Sequence, residues 1–196
     1  MHKHESFNID VKRIDDNHRM AETINKVKFS DAAMAEMQRY ISHYPEGRQK
    51  SALLPMLHIA QAELGGWVRP EAMDTIAEIL NIQPIEVYEV ATFYAMFNLK
   101  PVGKHVLEVC RTGPCCLRGA DQLIETLKQK LNIEEGETSA DGMFTLKPVE
   151  CLASCGSGPM LQVRELFYEN LDSEQRVDEF LEMMRHKEPE TPIWVK

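Results

Sequence analysis

Four of the five cysteines in this 196-residue chain stand in two tight pairs, Cys110 with Cys115 and Cys151 with Cys155. Written out, a C-x4-C motif is followed after 35 residues by C-x3-C. The first pair lies in VCRTGPCCLRG and the second in ECLASCGSGP. Each follows a β-like run and is surrounded by Gly and Pro, which predicts two loops able to curl around a ligand. Four thiolates from two loops are what a [2Fe–2S] cluster requires, because each iron takes two cysteine sulfurs besides the bridging sulfides. Gly113, Gly156 and Gly158 are expected at positive φ, bringing backbone N–H groups close to sulfur. Such donors, with the positive end of a helix beginning near Gly119, would offset the negative charge of a thiolate-bound cluster. Arg111 and Arg118 could add to this, or could be solvated or pair with carboxylates of a neighbouring protein.

Other chemistries fit these residues less well. Structural zinc also takes four cysteines, but its knuckles are often built on hairpins, whereas here each pair ends a strand. A redox dithiol needs C-x-x-C, which the chain lacks. A Rieske centre needs two histidines, and neither loop holds one; His105, the nearest, reads as a strand residue at a surface. Cys116 could replace Cys115 and make the spacing C-x5-C. Adjacent residues in a turn point apart, so one of the two binds, and Cys116 reads better as a small semi-buried side chain.

The elements that must position these loops can be read from periodicity. From Asp31 the pattern is helical, with Met34, Met37, Tyr40 and Ile41 as one stripe, ended by Tyr44-Pro45-Glu46-Gly47. A second helix runs from Ser51 to about Leu64 with Leu54, Leu57 and Gln61 along one side, closed by Gly65-Gly66. A third spans Pro70 to Leu80, and a fourth starts at Pro84 and carries Val87, Val90, Tyr94 and Phe97 on one face. Some of Trp67, Tyr88, Phe93 and Phe97 are expected to face a partner. Lys100-Pro101-Val102-Gly103 breaks the pattern. Beyond it come a strand from His105 to Val109, a helix from Gly119 to Leu131 and a strand from Met143 to Val149. A hairpin over 160–163 and 166–168 comes next, then a last helix capped by Asp172 or Ser173. The order is β-α-β-β-β-α. Pro159 is expected to be a cis-proline beside the second cysteine loop.

Composition narrows the function classes. With 22 Lys and Arg against 31 Asp and Glu, the net charge of −9 argues against a nucleic-acid binder. TIAEILNIQPIEVYEVATFY could pass for a helix-turn-helix, but residues 84–97 carry Glu86 and Glu89 and no Lys or Arg. No apolar run of about 18 residues exists to span a membrane. The N-terminus resembles neither a secretory signal nor a transit peptide, and an odd cysteine count argues for reduced thiols rather than a disulfide framework.

The cysteine pattern and three longer stretches, YPEGRQKSALLPMLHIAQAELGGWV, EVATFYAMFNLKPVGKHVLEVC and GETSADGMFTLKPVECLASCGSGPMLQV, resemble one family. It is the 24 kDa-type (E-type) [2Fe–2S] subunit of NADH:quinone oxidoreductase, respiratory complex I. The resemblance covers about residues 30–186. It implies an α+β fold, an N-terminal helical bundle followed by a thioredoxin-like ferredoxin domain. The expected boundaries are a polar arm over 1–30, the bundle over 31–100, the cluster domain over 101–187 and an extended tail over 188–196. Carried over residue by residue, the resemblance makes Cys110, Cys115, Cys151 and Cys155 the ligands of one [2Fe–2S] cluster, leaving out Cys116. It further implies electron exchange with FMN on a neighbouring, NADH-binding subunit, so that this chain binds neither NADH nor FMN. Other peripheral-arm subunits would be partners too, and the chain would lie on the cytoplasmic side of the inner membrane without inserting. The same module serves as a diaphorase subunit in NAD-reducing hydrogenases and NAD-dependent formate dehydrogenases. A free-standing ferredoxin would have little need of the helices.

Overall fold

A computed structural model of the chain describes residues 26–188. The expectations for residues 1–25 and for the tail beyond Glu188 lie outside the described residues. Residues 26–30, read from sequence as the end of an arm, already pack on the helices: Phe29 is buried, and the Ser30 N–H donates to Glu63 Oε1 at 2.6 Å.

Four helices share one apolar cluster. Helix α1 (Asp31–Ser42) is capped by Ser30, whose hydroxyl accepts from the Ala33 N–H at 3.2 Å. Helix α2 (Leu53–Glu63) comes after a 3-10 turn over Gln49–Ala52 instead of starting at Ser51. Its apolar face is wider than one stripe, with Leu53, Met56, Leu57, Ile59 and Ala60 all buried, and it is the central helix of the group. Helices α3 (Pro70–Leu80) and α4 (Pro84–Phe93) each open on a proline, which lacks the N–H that a first turn leaves unpaired. Asn81, left-handed at φ 52°, ends α3.

Helix α4 stops at Phe93, short of the expected run to Phe97. The chain turns extended at Tyr94 so that Phe97 can bury against the His58 ring, 4.9 Å between centroids. Asn98 then fixes the exit. Its N–H donates to Gln61 Oε1 at 2.7 Å, and its side-chain amide donates to the Gly66 carbonyl at 2.9 Å. Tyr94 is consequently left outside, contrary to the single face read from sequence, and Phe93 beside it is exposed as well.

The remaining strands form a four-stranded sheet in the order β2-β1-β3-β4. Strand β1 (His105–Cys110) pairs in parallel with β2 (Phe144–Val149), His105 opposite Phe144 and Cys110 opposite Val149. Strand β3 (Leu161–Val163) runs antiparallel to β1, and β4 (Leu166–Tyr168) antiparallel to β3. A parallel pair needs a crossover, and it is supplied by the short helix α5 (Gly113–Leu117) and by α6 (Ala120–Leu131). Pro148 is tolerated because β2 is an edge strand. Helix α7 (Glu174–His186), capped by the Ser173 hydroxyl, packs with α6 over one face of the sheet. The expected β-α-β-β-β-α order is present.

His105 is a correction. It shares its face with Leu107 and Val109 by the two-residue period of a strand, so it points into the core, 1% exposed, with no partner for Nε2. Burial first, then the Lys104 charge, hold its imidazole below the ordinary pKa.

The start of the parallel pair depends on Gly103. A Cβ there would stand 3.0 Å from the Gly142 oxygen and from backbone carbons of Met143 and Phe144. Rigid backbone, unlike a side-chain tip, cannot step aside. Gly103→Ala is expected to lower stability by about 1–3 kcal/mol, the usual cost of overpacking, read as a fall of several degrees in the thermal midpoint.

Candidate metal centre

Parallel pairing brings the two cysteine loops together. Cys110 is the last residue of β1 and its register partner Val149 the last of β2, so both loops leave the sheet at the same edge. In open sheets this carboxyl edge is where ligands bind. Two backbone bonds brace the exit, Arg111 N–H to the Val149 carbonyl at 2.9 Å and Cys110 N–H to the Met160 carbonyl at 3.2 Å. The first pair is not wholly loop, because Cys115 sits in α5. Cys155 opens a 3-10 turn over Cys155–Ser157.

The two pairs differ in environment. Cys110 and Cys115 are each 1% exposed and pack with Ala120 and Met160, whereas Cys151 and Cys155 are exposed and Cys116 is intermediate. Burial opposes ionisation of the Cys110 thiol, but hydrogen bonds from the Thr112 hydroxyl (3.5 Å), the Leu152 backbone and Cys115 outweigh it and lower its pKa. Burial pushes Cys115 up to about 12, helped by its bond to Cys110 and by the charges of Cys110, Cys155 and Cys151. Cys115 is therefore close enough to the other three cysteines to feel their charge. Among the described residues no three His, Cys, Asp or Glu side chains gather as a group that could hold one metal ion.

The glycines work differently from expectation. None of Gly113, Gly156 and Gly158 has positive φ: Gly113 begins α5, Gly156 lies in the 3-10 turn, and Gly158 is extended at φ −66°. Gly158 is needed for closeness instead, since a Cβ there would stand 3.2 Å from Cys115 Sγ. The left-handed residue in the second loop is Ala153, φ 61°, whose N–H donates to Cys151 Sγ at 3.3 Å. The Gly158–Pro159 peptide is cis, as expected from the sequence.

Both arginines are engaged. The Arg118 Nε–H donates to the Gly158 carbonyl at 2.6 Å, joining the α5 exit to the second cysteine loop. Arg111 pairs with Asp121 at 3.4 Å and Glu135 at 3.3 Å. A third tether has only half a signal in the sequence. Ser154 and Ser157, which bracket Cys155, both donate to the Glu169 carboxylate just beyond β4. The S-x-x-S spacing is visible in the sequence; Glu169 carries no local mark. Leu117, beside Cys116, is 91% exposed and so offers an apolar surface next to the cysteines.

The residues fit an iron–sulfur cluster on two grounds of their own: a set of four thiol donors at one edge, and a position where a Cβ would crowd the sulfur. Known proteins agree on the class. The sequence profile of the thioredoxin-like [2Fe-2S] ferredoxin family matches residues 37–185, and the chain belongs to that family. Among its relatives, the E subunit of NADH-quinone oxidoreductase from Rickettsia bellii is 41% identical over 152 residues, covering 78% of this chain and 91% of that protein. NADH dehydrogenase [ubiquinone] flavoprotein 2, mitochondrial, of Dictyostelium discoideum is 40% identical over 161 residues. That match takes in 82% of this chain and 65% of the relative, so the chain spans just under two thirds of the amoebal protein. In fold it is similar to a chain of an air-oxidised NAD+-reducing [NiFe]-hydrogenase, TM-score 0.59 and 21% identity, covering 70% of this chain and 23% of that one.

Hydrogen bonds from Ser154 and then Ser157 hold the Glu169 carboxyl below its ordinary 4.5. A depressed carboxylate contributes its stabilisation above the unfolded value and loses it as pH falls through the folded one. The protection of amides 154–157 against hydrogen exchange, measured by mass spectrometry relative to their intrinsic rates, is therefore expected to fall below pH 4.5. Glu169→Gln should show the reduced protection already at pH 7 and little further change in it on acidification.

Proposed function

We propose that this chain is the [2Fe–2S] electron-transfer subunit of a NADH:quinone oxidoreductase, with Cys110, Cys115, Cys151 and Cys155 as the four ligands. The observation that supports this is the pairing of β1 and β2, whose last residues Cys110 and Val149 lead into the two cysteine loops at one sheet edge. When bound, the cluster supplies a one-electron centre. The chain's own residues position and tune it. Cys110 and Cys115 are held away from water against Ala120 and Met160. The Thr112 hydroxyl and the Leu152 backbone turn positive dipole ends towards the Cys110 sulfur, which favours its thiolate form, and the Ala153 N–H points at Cys151 Sγ. Arg118 ties the second loop to the first, and Glu169 ties it to the end of β4.

The exposed side of the centre, with Cys151, Cys155 and Leu117, is where electrons would be exchanged with FMN on the NADH-binding partner. The first four helices act as a docking bundle, residues 31–100, with Ile85, Phe93, Tyr94 and Met96 exposed on and just beyond α4. We assign residues 101–187 to the thioredoxin-like cluster domain, and place the subunit peripherally on the cytoplasmic side of the membrane. No helix among the described residues is long and apolar enough to cross a bilayer. A diaphorase subunit of an NAD-reducing hydrogenase or formate dehydrogenase is the second reading, favoured by the shared fold with the hydrogenase chain. The relatives named for quinone reduction match at twice its identity, 41% against 21%.

Spectroscopy, cysteine variants and exchange kinetics test this. Chain produced with iron and sulfide available should be red-brown and, once reduced, give the electron paramagnetic resonance of a single [2Fe–2S] centre. A colourless protein holding one zinc would end the proposal. Cys115→Ser should lose that signal while Cys116→Ser keeps it, the reverse pattern reassigning the ligand. Leu117→Asp should leave the isolated signal unchanged and slow electron exchange with the flavin-bearing partner by roughly tenfold, the size of effect that interface anchors carry.

A further inference from the structure

The helices and the sheet pack on each other sparingly. Among the described residues their buried apolar clusters share no member. A cavity of about 500 Å³ lies between them, walled by Gln61 and Ala62 of α2 and by Val106, Glu108 and Gln162 of the strands. Where an interface within one chain is neither large nor apolar, relative motion of its two sides is the default. The connecting chain is anchored at both ends. Asn98 belongs to the helices, because besides its bonds to Gln61 and Gly66 its carbonyl accepts from the Val68 N–H at 2.8 Å. Gly103 belongs to the sheet, its N–H donating to Thr145 Oγ1 at 2.7 Å. Between these anchors lie residues 99–102, which form neither helix nor strand and can serve as a hinge.

Lys147 crosses this gap. Alternation along β2 turns Phe144 and Leu146 into the core under α6 and α7, and so turns Thr145 and Lys147 to the opposite face. An ammonium has three N–H donors and no acceptor. Lys147 Nζ meets three acceptors: the Ala95 carbonyl, Asn98 Oδ1 at 2.9 Å, and at 3.4 Å the carboxylate of Glu108, its register partner on β1. The Lys147 and Glu108 side chains are 23% and 19% exposed, so water screens these bonds only in part. Bonds to a charged donor hold more strongly than neutral ones. Two of the three acceptors stand before the hinge, while the third acceptor and Lys147 itself stand on strands beyond it. One side chain therefore clamps the end of the helical half onto the paired strands that lead to the cysteines.

We propose that Lys147 is a positioning residue: it pins the hinge at 99–102 and so fixes how the helical bundle stands relative to the cysteine-bearing sheet. On the functional reading above, it thereby sets the reach from a partner docked on the helices to the cluster. The hinge itself can be tested without a cluster. In the full-length chain, Gln38 of α1 and Gln129 of α6, both exposed, are replaced by p-acetylphenylalanine carrying nitroxides. Double electron–electron resonance then reads the distance between the two halves. The distribution should be narrow in the parent chain and roughly twofold wider in Lys147→Met, as an unpinned interface allows, with the far-ultraviolet dichroism unchanged. Lys128→Met, which removes ion pairs with Glu125 and Glu134 inside the sheet half, should keep the parent width. Should Lys147→Met fail to fold, the milder Lys147→Gln serves, with the same widening expected. A broad parent distribution overturns the proposal, as does a folded Lys147 variant of parent width or equal widening in Lys128→Met. In the assembled complex, Lys147→Met should slow electron exchange severalfold at unchanged partner affinity. An unchanged rate beside a widened distribution would overturn the positioning role, whereas a chain that takes up no cluster would sink the functional reading and leave the distance result standing.

Discussion

The parallel register of β1 and β2 is the constraint on which the rest of this molecule depends. Strands of one polarity must end at one edge, so Cys110 and the loop after Val149 emerge together although 35 residues separate the two cysteine pairs. A one-residue slip would turn Leu107, Val109 and Phe144 out of the core, because side chains alternate across a strand. The apolar face beneath α6 and α7 therefore fixes the register, and the register fixes where the two cysteine loops leave the sheet. Gly103, too crowded to bear a side chain, lets the pairing begin where it does.

Local bonds then refine what the sheet sets out. The first pair is sunk among Ala120 and Met160 and the second stands open to solvent, so the two ends of the candidate centre meet different surroundings. The open loop is kept in place from outside, by Arg118 reaching the Gly158 carbonyl and by Glu169 gathering Ser154 and Ser157. These are contacts to charged groups, which hold more strongly than neutral ones.

Much of this was legible in the sequence, for physical reasons that differ by residue. Proline at the first position of α3 and α4, Ser173 as a cap and the cysteine spacing are local signals, and the structure carries each of them. Family membership, too, was readable from the stretches around the cysteines. His105 was misjudged because residue type suggested a surface, while its place in the alternation with Leu107 and Val109 pointed inward. The glycines were credited with positive φ when the requirement at Gly158 is proximity to Cys115, a tertiary fact that no local pattern encodes. Glu169 was missed for the same reason, since it lies 15 residues from Ser154 and meets it only once β3 and β4 have folded back. The early end of α4 results from bonds made by Asn98 to Gln61 and Gly66, again set by three-dimensional context.

The separation between the two halves of the site in sequence has a consequence for synthesis. The apolar cluster of α1 to α4 is complete by Phe97 and shares no member with that of the sheet. The helices can therefore fold while the sheet is still being made. Cys110 and Cys115 emerge next, before β2 exists to pair with β1 or Cys151 to stand beside them. At roughly 5–20 residues per second, the interval of 35 residues leaves that first thiol pair without its counterpart for about two to seven seconds. During that time it is open to oxidants and to stray metal ions. The two thiols that end most deeply buried are thus the ones left longest without cover while the chain is made.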